Sequence, residues 1–162
     1  MTIALFVTGG TFDKDYNEIN GKLFFRETHI NEMLQIGRCM EPVRTKTLMM
    51  VDSLEMGEVQ RRVVLEECRN CEEEKIVITH GTDTMTDTAK LLGQNISKKT
   101  IVFTGAMRPY VFGSSDGVFN LGCAIAFAQS LPHGVYITMN GRYFFWDNVH
   151  KIREKGKFET VR

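Results

Sequence analysis

The sequence predicts a three-layer α/β domain, a mostly parallel sheet covered by helices on both faces. Short apolar runs rich in β-branched residues recur along the chain, and the segments between them carry helical periodicity. The runs are almost continuously apolar rather than alternating, as strands buried on both faces require. A length of 162 residues fits one domain with a substantial core, and 43% hydrophobic with 25% charged residues is ordinary for a globular chain.

The first strand is Ile3–Thr8, a run of apolar residues ending at a Gly-Gly pair. The other strands are Val43–Met50, Lys75–Thr79, Thr100–Thr104 and Gly134–Met139. Helices are expected to start near Thr28, with Ile30, Met33 and Leu34 on one face, and to run from about Gly57 to Cys71. A third begins at Asp83 and buries Met85, Ala89 and Leu92; a fourth follows Asp116-Gly117 with Phe119, Leu121, Ala124 and Phe127. Gly9 to about Lys22 reads as the longest loop, a candidate lid.

Charge, cysteine content and hydropathy exclude several classes. Twenty basic residues balance twenty acidic ones, so nothing in the net charge marks a nucleic-acid or anionic-lipid partner. No apolar run reaches membrane-span length, and no basic leader with a cleavage site precedes Ile3; a cytoplasmic protein is the expectation. Cys68-Arg-Asn-Cys71 has the spacing of a redox or metal pair. Val64, Cys68 and Cys71, however, fall at i, i+4 and i+7 of a helix, so the reading preferred is core packing. No second pair supplies further zinc ligands.

In an open parallel sheet, ligands bind beyond the carboxyl ends of the strands. Three polar segments containing glycine stand there: Thr8-Gly9-Gly10-Thr11, His80-Gly81-Thr82-Asp83-Thr84-Met85 and Gly105-Ala106-Met107-Arg108-Pro109. The first lacks the dinucleotide spacing and the P-loop lysine, and alone reads as a strand-to-loop turn. In the second, Thr82 and Asp83 suit a helix start and His80 a strand-end hydrogen bond. Helix capping alone does not account for two hydroxyls, a carboxylate and a glycine gathered opposite another threonine-bearing turn.

Together with Asp52-Ser53, Asp116-Gly117, Asn120-Leu121 and Met139-Asn140, these segments occur in an order that resembles the N-terminal catalytic domain of the bacterial-type asparaginase/glutaminase family. The likeness runs from the first strand to about Phe158, and the two threonine motifs are its most specific part. The resemblance implies a flavodoxin-like (Rossmann-like) domain spanning residues 1–162, no metal or other cofactor, and double-displacement hydrolysis of L-asparagine through an acyl-enzyme.

Carried over by position, the resemblance makes Thr11 the nucleophile, with Tyr16, the one tyrosine of the expected lid, accepting or positioning its proton. Thr82, Asp83 and Lys151 match a second triad. In it Thr82 orients the deacylating water, a charged Lys151 shuttles protons and Asp83 is its electrostatic partner. Backbone N–H groups at Thr11 and Thr82 are the oxyanion donors, with Gly10 and Gly81 shaping the pocket. Ala106 offers its carbonyl to the amide nitrogen, while Ser53 and Asp83 hold the α-carboxylate and α-ammonium. Arg108, in an ion pair, and Asp116, as a helix cap, read as scaffold.

Members of the family usually carry a second, C-terminal domain that contributes to the substrate ammonium. This chain of 162 residues resembles the first domain only. The expectation is that Glu55 or Asp52, with Asp83, satisfies the ammonium instead. Met49, Met50, Phe144, Phe145 and Trp146 are the apolar residues expected to support a homodimer or higher homo-oligomer, or else the core. A glutaminase or relaxed amidase, a non-catalytic amino-acid sensor and a phosphate-binding module are the competing readings.

Overall fold

The computed structural model describes residues 1–162. Five parallel strands, β1 (Ile3–Gly9), β4 (Val43–Val51), β5 (Lys75–Thr79), β6 (Thr100–Thr104) and β7 (Gly134–Met139), form the sheet, and β8 (Arg142–Phe145) closes one edge antiparallel to β7. The strand order is β4-β1-β5-β6-β7-β8, so the chain starts in the interior and winds outward in both directions. Mostly parallel topology and burial on both faces agree with the reading of the sequence.

Alternation along β1 distributes the core. Ala4 and Phe6 join one cluster with Ile76, Ile78, Ile101 and Phe103, covered by α2 (Glu58–Asn70) and α3 (Met85–Asn95). Ile3, Leu5 and Val7 join the opposite cluster with Val77 and Val102, covered by α1 (Ile30–Ile36) and α4 (Gly117–Ser130). Every residue of β1 is buried. Removing such apolar side chains from water, at about 25 cal/mol per Å², is what holds the two helical layers against the sheet. Cys68 lies inside the first cluster, and Cys71, partly buried, packs on its edge at the end of α2.

Several local expectations need correction. The stretch Gly9–Lys22 is not one long loop: a 3₁₀ turn (Thr11–Asp13) leads into a hairpin of β2 (Lys14–Asn17) and β3 (Lys22–Phe25). Asn17 closes it, its side-chain oxygen accepting the N–H of Ile19 while its backbone carbonyl accepts that of Gly21 at positive φ. Helix α3 starts at Met85 rather than Asp83, with Thr84 at its N-cap. A second ribbon, β9 (His150–Ile152) with β10 (Lys157–Glu159), orders the charged tail. Phe144 is 3% exposed and belongs to the core, whereas Phe145 is half exposed, because antiparallel β8 turns alternate side chains to opposite faces. Met49, Met50 and Trp146 are partly buried against the two clusters.

Candidate active site

The site is built by backbone touching backbone at the carboxyl ends of the strands. Gly10, at φ +77°, lies so close to the next turn that a Cβ built on it would stand 2.5 Å from the Cα of Gly81. A Cβ on Gly81 would in turn stand 2.6 Å from the hydroxyl of Ser53. Glycine at both positions is therefore a packing requirement. Gly105 presses on the His80 carbonyl in the same way and faces the Thr82 methyl. The turns carrying Thr11, Ser53, Thr82 and Ala106 are thus drawn together. Hydrogen bonds fix them: Gly10 N–H donates to the Val51 carbonyl at 2.9 Å, and the Thr84 hydroxyl donates to the Ser53 carbonyl at 2.7 Å.

Lys151 reaches this cluster from β9, on the far side of the chain. Its ammonium donates to the Thr82 hydroxyl at 2.7 Å and to the Asp83 carboxylate at 2.8 Å, with only 9% of its side chain exposed. Arg153 stands 3.9 Å from the same carboxylate. An ammonium has no lone pair to accept with. The Thr82 oxygen therefore accepts the hydrogen bond from Lys151, and its own hydrogen is left with only the Met107 sulfur, 3.8 Å away. That donor is available to a better acceptor.

Behind Thr82, His80 is completely buried, its Nδ1 2.8 Å from the Gly81 carbonyl and its Nε2 2.8 Å from the Thr88 hydroxyl. A carbonyl can only accept, so Nδ1 carries the proton and Nε2 accepts from Thr88. Burial lowers the His80 pKa from 6.5 to about 4, so the ring stays neutral. Asp13, two residues after Thr11, is also fully buried, and it anchors the turn by accepting from the Thr28 hydroxyl and the His29 N–H. Burial raises its pKa, against the lowering effect of those two hydrogen bonds.

The remaining candidates divide. Ser53 is 2% exposed and Ala106 1%, both inside the cluster. Thr11 is partly buried at the start of its turn. Tyr16 stands apart: it is 53% exposed, its ring packs edge-on against Phe112, and no hydrogen bond joins it to Thr11. Asp52 is already engaged, accepting from the Lys14 ammonium and from the Leu54 N–H, and Lys14 holds its pKa below the usual carboxylate range. Glu55 is exposed.

Asp116 occupies the N-cap position of α4, yet its side chain reaches back instead of capping the helix. It accepts the N–H groups of Met107 and Arg108. Arg108 itself is exposed and forms none of the ion pairs in the molecule, because the turn that Asp116 gathers turns its side chain to solvent.

Two positioning residues have no role assigned to them from the sequence. Asn120 donates to the Gly105 carbonyl at 2.8 Å and accepts from the Asn140 N–H, joining two strand-end turns. An asparagine on the apolar face of α4 was the available signal. Lys14 carried no such signal, since its partner lies 38 residues away. No helix is long and apolar enough to cross a membrane, and no group of three or more His, Cys, Asp or Glu is gathered as for a metal ion.

A parallel α/β sheet whose strand ends bring together two threonine-bearing turns, one bonded to a sequestered lysine and an aspartate, defines a narrow class of domain. The family model described as Asparaginase, N-terminal, matches residues 2–161, and the chain belongs to that family. L-asparaginase 2 of Escherichia coli (strain K12) is 47% identical over 68 residues, 40% of this chain and 20% of that protein. Glutaminase-asparaginase of Pseudomonas fluorescens biotype A is 44% identical over 93 residues, 54% of this chain and 24% of that one. Among solved structures, the thermostable L-asparaginase from Thermococcus kodakarensis superposes with a TM-score of 0.84 at 25% identity, over 99% of this chain and 51% of that chain. The probable cytoplasmic L-asparaginase from Campylobacter jejuni gives a TM-score of 0.78 at 28% identity, over 92% and 49%. The chain therefore spans about half the length of these solved relatives, and its alignments reach a quarter or less of the curated ones.

Proposed function

We propose that this chain is an amidohydrolase that converts L-asparagine to L-aspartate and ammonia, with Thr11 as nucleophile. The observation that carries the proposal is the Lys151 ammonium, 2.7 Å from the Thr82 hydroxyl and 2.8 Å from Asp83, on the turn that packs against the Thr11 turn. The Thr11 oxygen attacks the side-chain amide carbon and loses its proton as the bond forms. The tetrahedral oxyanion accepts from backbone N–H groups at Thr11 and Thr82. The amide nitrogen takes up the proton that Thr11 released and leaves as ammonia, and an ester to Thr11 remains. Water, oriented by Thr82, attacks this ester; as the Lys151 ammonium, balanced by Asp83, gives up one proton toward the departing Thr11 oxygen, the water's proton passes through Thr82 to replace it, and aspartate is released. Ser53, Asp83 and exposed Glu55 serve the amino-acid head group.

The test is ammonia release by the purified chain from asparagine and, separately, from glutamine, because the relatives include glutaminase-asparaginases. Thr11→Ala is expected to abolish turnover, and Lys151→Met to lower kcat by roughly 10²–10⁴-fold. Unimpaired hydrolysis by Thr11→Ala would sink the proposal. The same reading expects a cytoplasmic enzyme that assembles as a homodimer or larger with help from Phe145, the exposed member of the apolar residues named for it, and sedimentation of the chain measures the assembly.

A further inference from the structure

The turn that bears Thr11 and the turn that bears Ser53 are tied at two points. At the rear is the backbone hydrogen bond from Gly10 to Val51, 2.9 Å. At the front is a side-chain pair: the Lys14 ammonium, three residues beyond Thr11, meets the Asp52 carboxylate, one residue before Ser53, at 2.5 Å. Both members are largely sheltered, with 18% and 32% of their side chains exposed, so solvent screens the pair less than it screens a surface ion pair. Each end is itself fixed. The other Asp52 oxygen accepts from Leu54 N–H at 3.0 Å, holding the 3₁₀ turn Ser53–Glu55. Lys14 pairs with Phe25 across the hairpin, and its ammonium lies 5.8 Å from the centre of that ring. On the other side of the strand, Asp13 roots the hairpin to the start of α1.

We propose that the Lys14–Asp52 pair is a brace that sets the distance between the nucleophile turn and the head-group turn, and thereby selects asparagine over glutamine. The inference rests on the asparaginase reading above. In that reading Ser53 holds the α-carboxylate end of the substrate and Thr11 attacks its amide carbon, so the span between the two turns measures the side-chain length. The two substrates differ by one methylene, a difference that a fixed pocket discriminates by about 10–200-fold. That discrimination survives only if the walls of the pocket do not yield, and a misplacement of about 1 Å at a reacting centre costs on the order of 10²-fold in rate. The rear tie and the close packing of Gly9 on Val51 and Gly10 on Gly81 hold the turn where it leaves the sheet, and Asp13 anchors it to the start of α1. The Lys14–Asp52 pair is the side-chain tie across the front, between the strand that follows Thr11 and the turn that bears Ser53. Lys14 and Asp52 are thus positioning residues that act through Thr11 and Ser53.

The experiment is a double-mutant cycle on the full chain with Lys14→Met, Asp52→Asn, their combination, and Lys14→Arg. Asp52→Asn keeps an acceptor for Leu54. Two readouts are taken: kcat and KM for asparagine and for glutamine, and hydrogen exchange of the hairpin 14–25. Each single variant is expected to lower the asparagine-to-glutamine ratio of kcat/KM at least tenfold. Hairpin amides should exchange faster, while the melting temperature stays near that of the parent. The combined variant should be no worse than either single one, and Lys14→Arg, which retains the pair, should restore the ratio. Unchanged hairpin exchange in Lys14→Met overturns the brace, and faster exchange with an unchanged ratio overturns its role in selectivity. A parent chain that releases ammonia from neither substrate overturns the asparaginase reading and the selectivity with it, whereas the brace is still judged by exchange.

Discussion

His80 offers a stability test that does not depend on turnover. Its ring is fully buried, neutral and bonded at both nitrogens, and its pKa falls from 6.5 to about 4, chiefly through burial. The folded state therefore resists a proton that the unfolded chain accepts below its own pKa. This contribution to stability is complete above 6.5, is lost as pH falls, and is gone below about 4. The whole difference corresponds to about 3 kcal/mol, of which about 2 kcal/mol disappears between about pH 7 and about pH 5. Urea unfolding of the parent and of His80→Asn at those two pH values isolates the term. Every other ionisable group is common to the two proteins, so its contribution cancels in the comparison. The variant starts lower, by about 1–3 kcal/mol for its lost partners, and should show a pH dependence shallower by about 2 kcal/mol. Parallel pH profiles for the two proteins would refute the assignment of a buried neutral imidazole.

Glycine positions give two further tests, each with an internal control. Gly10→Ala adds a Cβ 2.5 Å from Gly81 backbone at φ +77°, whereas Gly113→Ala has a similar φ, +78°, and open space around it. Thermal melting should show a loss of about 2–4 kcal/mol for the first and about 1 kcal/mol for the second, and equal losses would mean that the turns are not in contact. Gly93 and Gly122 both lie within helices, but a Cβ on Gly93 would run into the Trp146 indole while one on Gly122 meets nothing within 4 Å. Gly122→Ala is therefore expected to gain roughly 0.5–1 kcal/mol and Gly93→Ala to lose about 1–2 kcal/mol, as read from urea midpoints.

The parallel sheet is legible in the sequence because a strand buried on both faces has no polar side to confuse the pattern; Lys75–Thr79 and Thr100–Thr104 keep the bounds expected of them. The two ribbons are not legible by the same means. Lys22–Phe25 has too few residues to show a period, and the Asn20-Gly21 pair before it belongs to a four-residue connection, 18–21, rather than to a two-residue hairpin loop. Lys151 reads as one more solvated charge in a basic tail until the β9–β10 ribbon folds it over Thr82 and Asp83. Only the family resemblance singled it out. A polar residue whose partner lies tens of positions away carries no local periodicity, and Lys14 with Asp52, like Lys151 with Thr82, belongs to that class.

The same distinction explains how the site is assembled. Threonine on a strand-end turn is common and chemically inert, since its hydroxyl needs a partner to give up a proton. What makes Thr82 unusual is the removal of side chains around it: Gly10, Gly81 and Gly105 each leave space that a neighbouring turn occupies with backbone or with a Ser53 or Thr82 side chain. Close approach brings the hydroxyl-bearing turns of separate strands within reach of one substrate, and the long charged residues then fix what the glycines permit. Lys151 enters from a ribbon outside the sheet, and the Lys14–Asp52 pair spans two turns within it. A site built in this order should tolerate changes on the outer faces of α2 and α3 while failing to a single added methyl at Gly10 or Gly81, because only the latter separates the turns on which the chemistry depends.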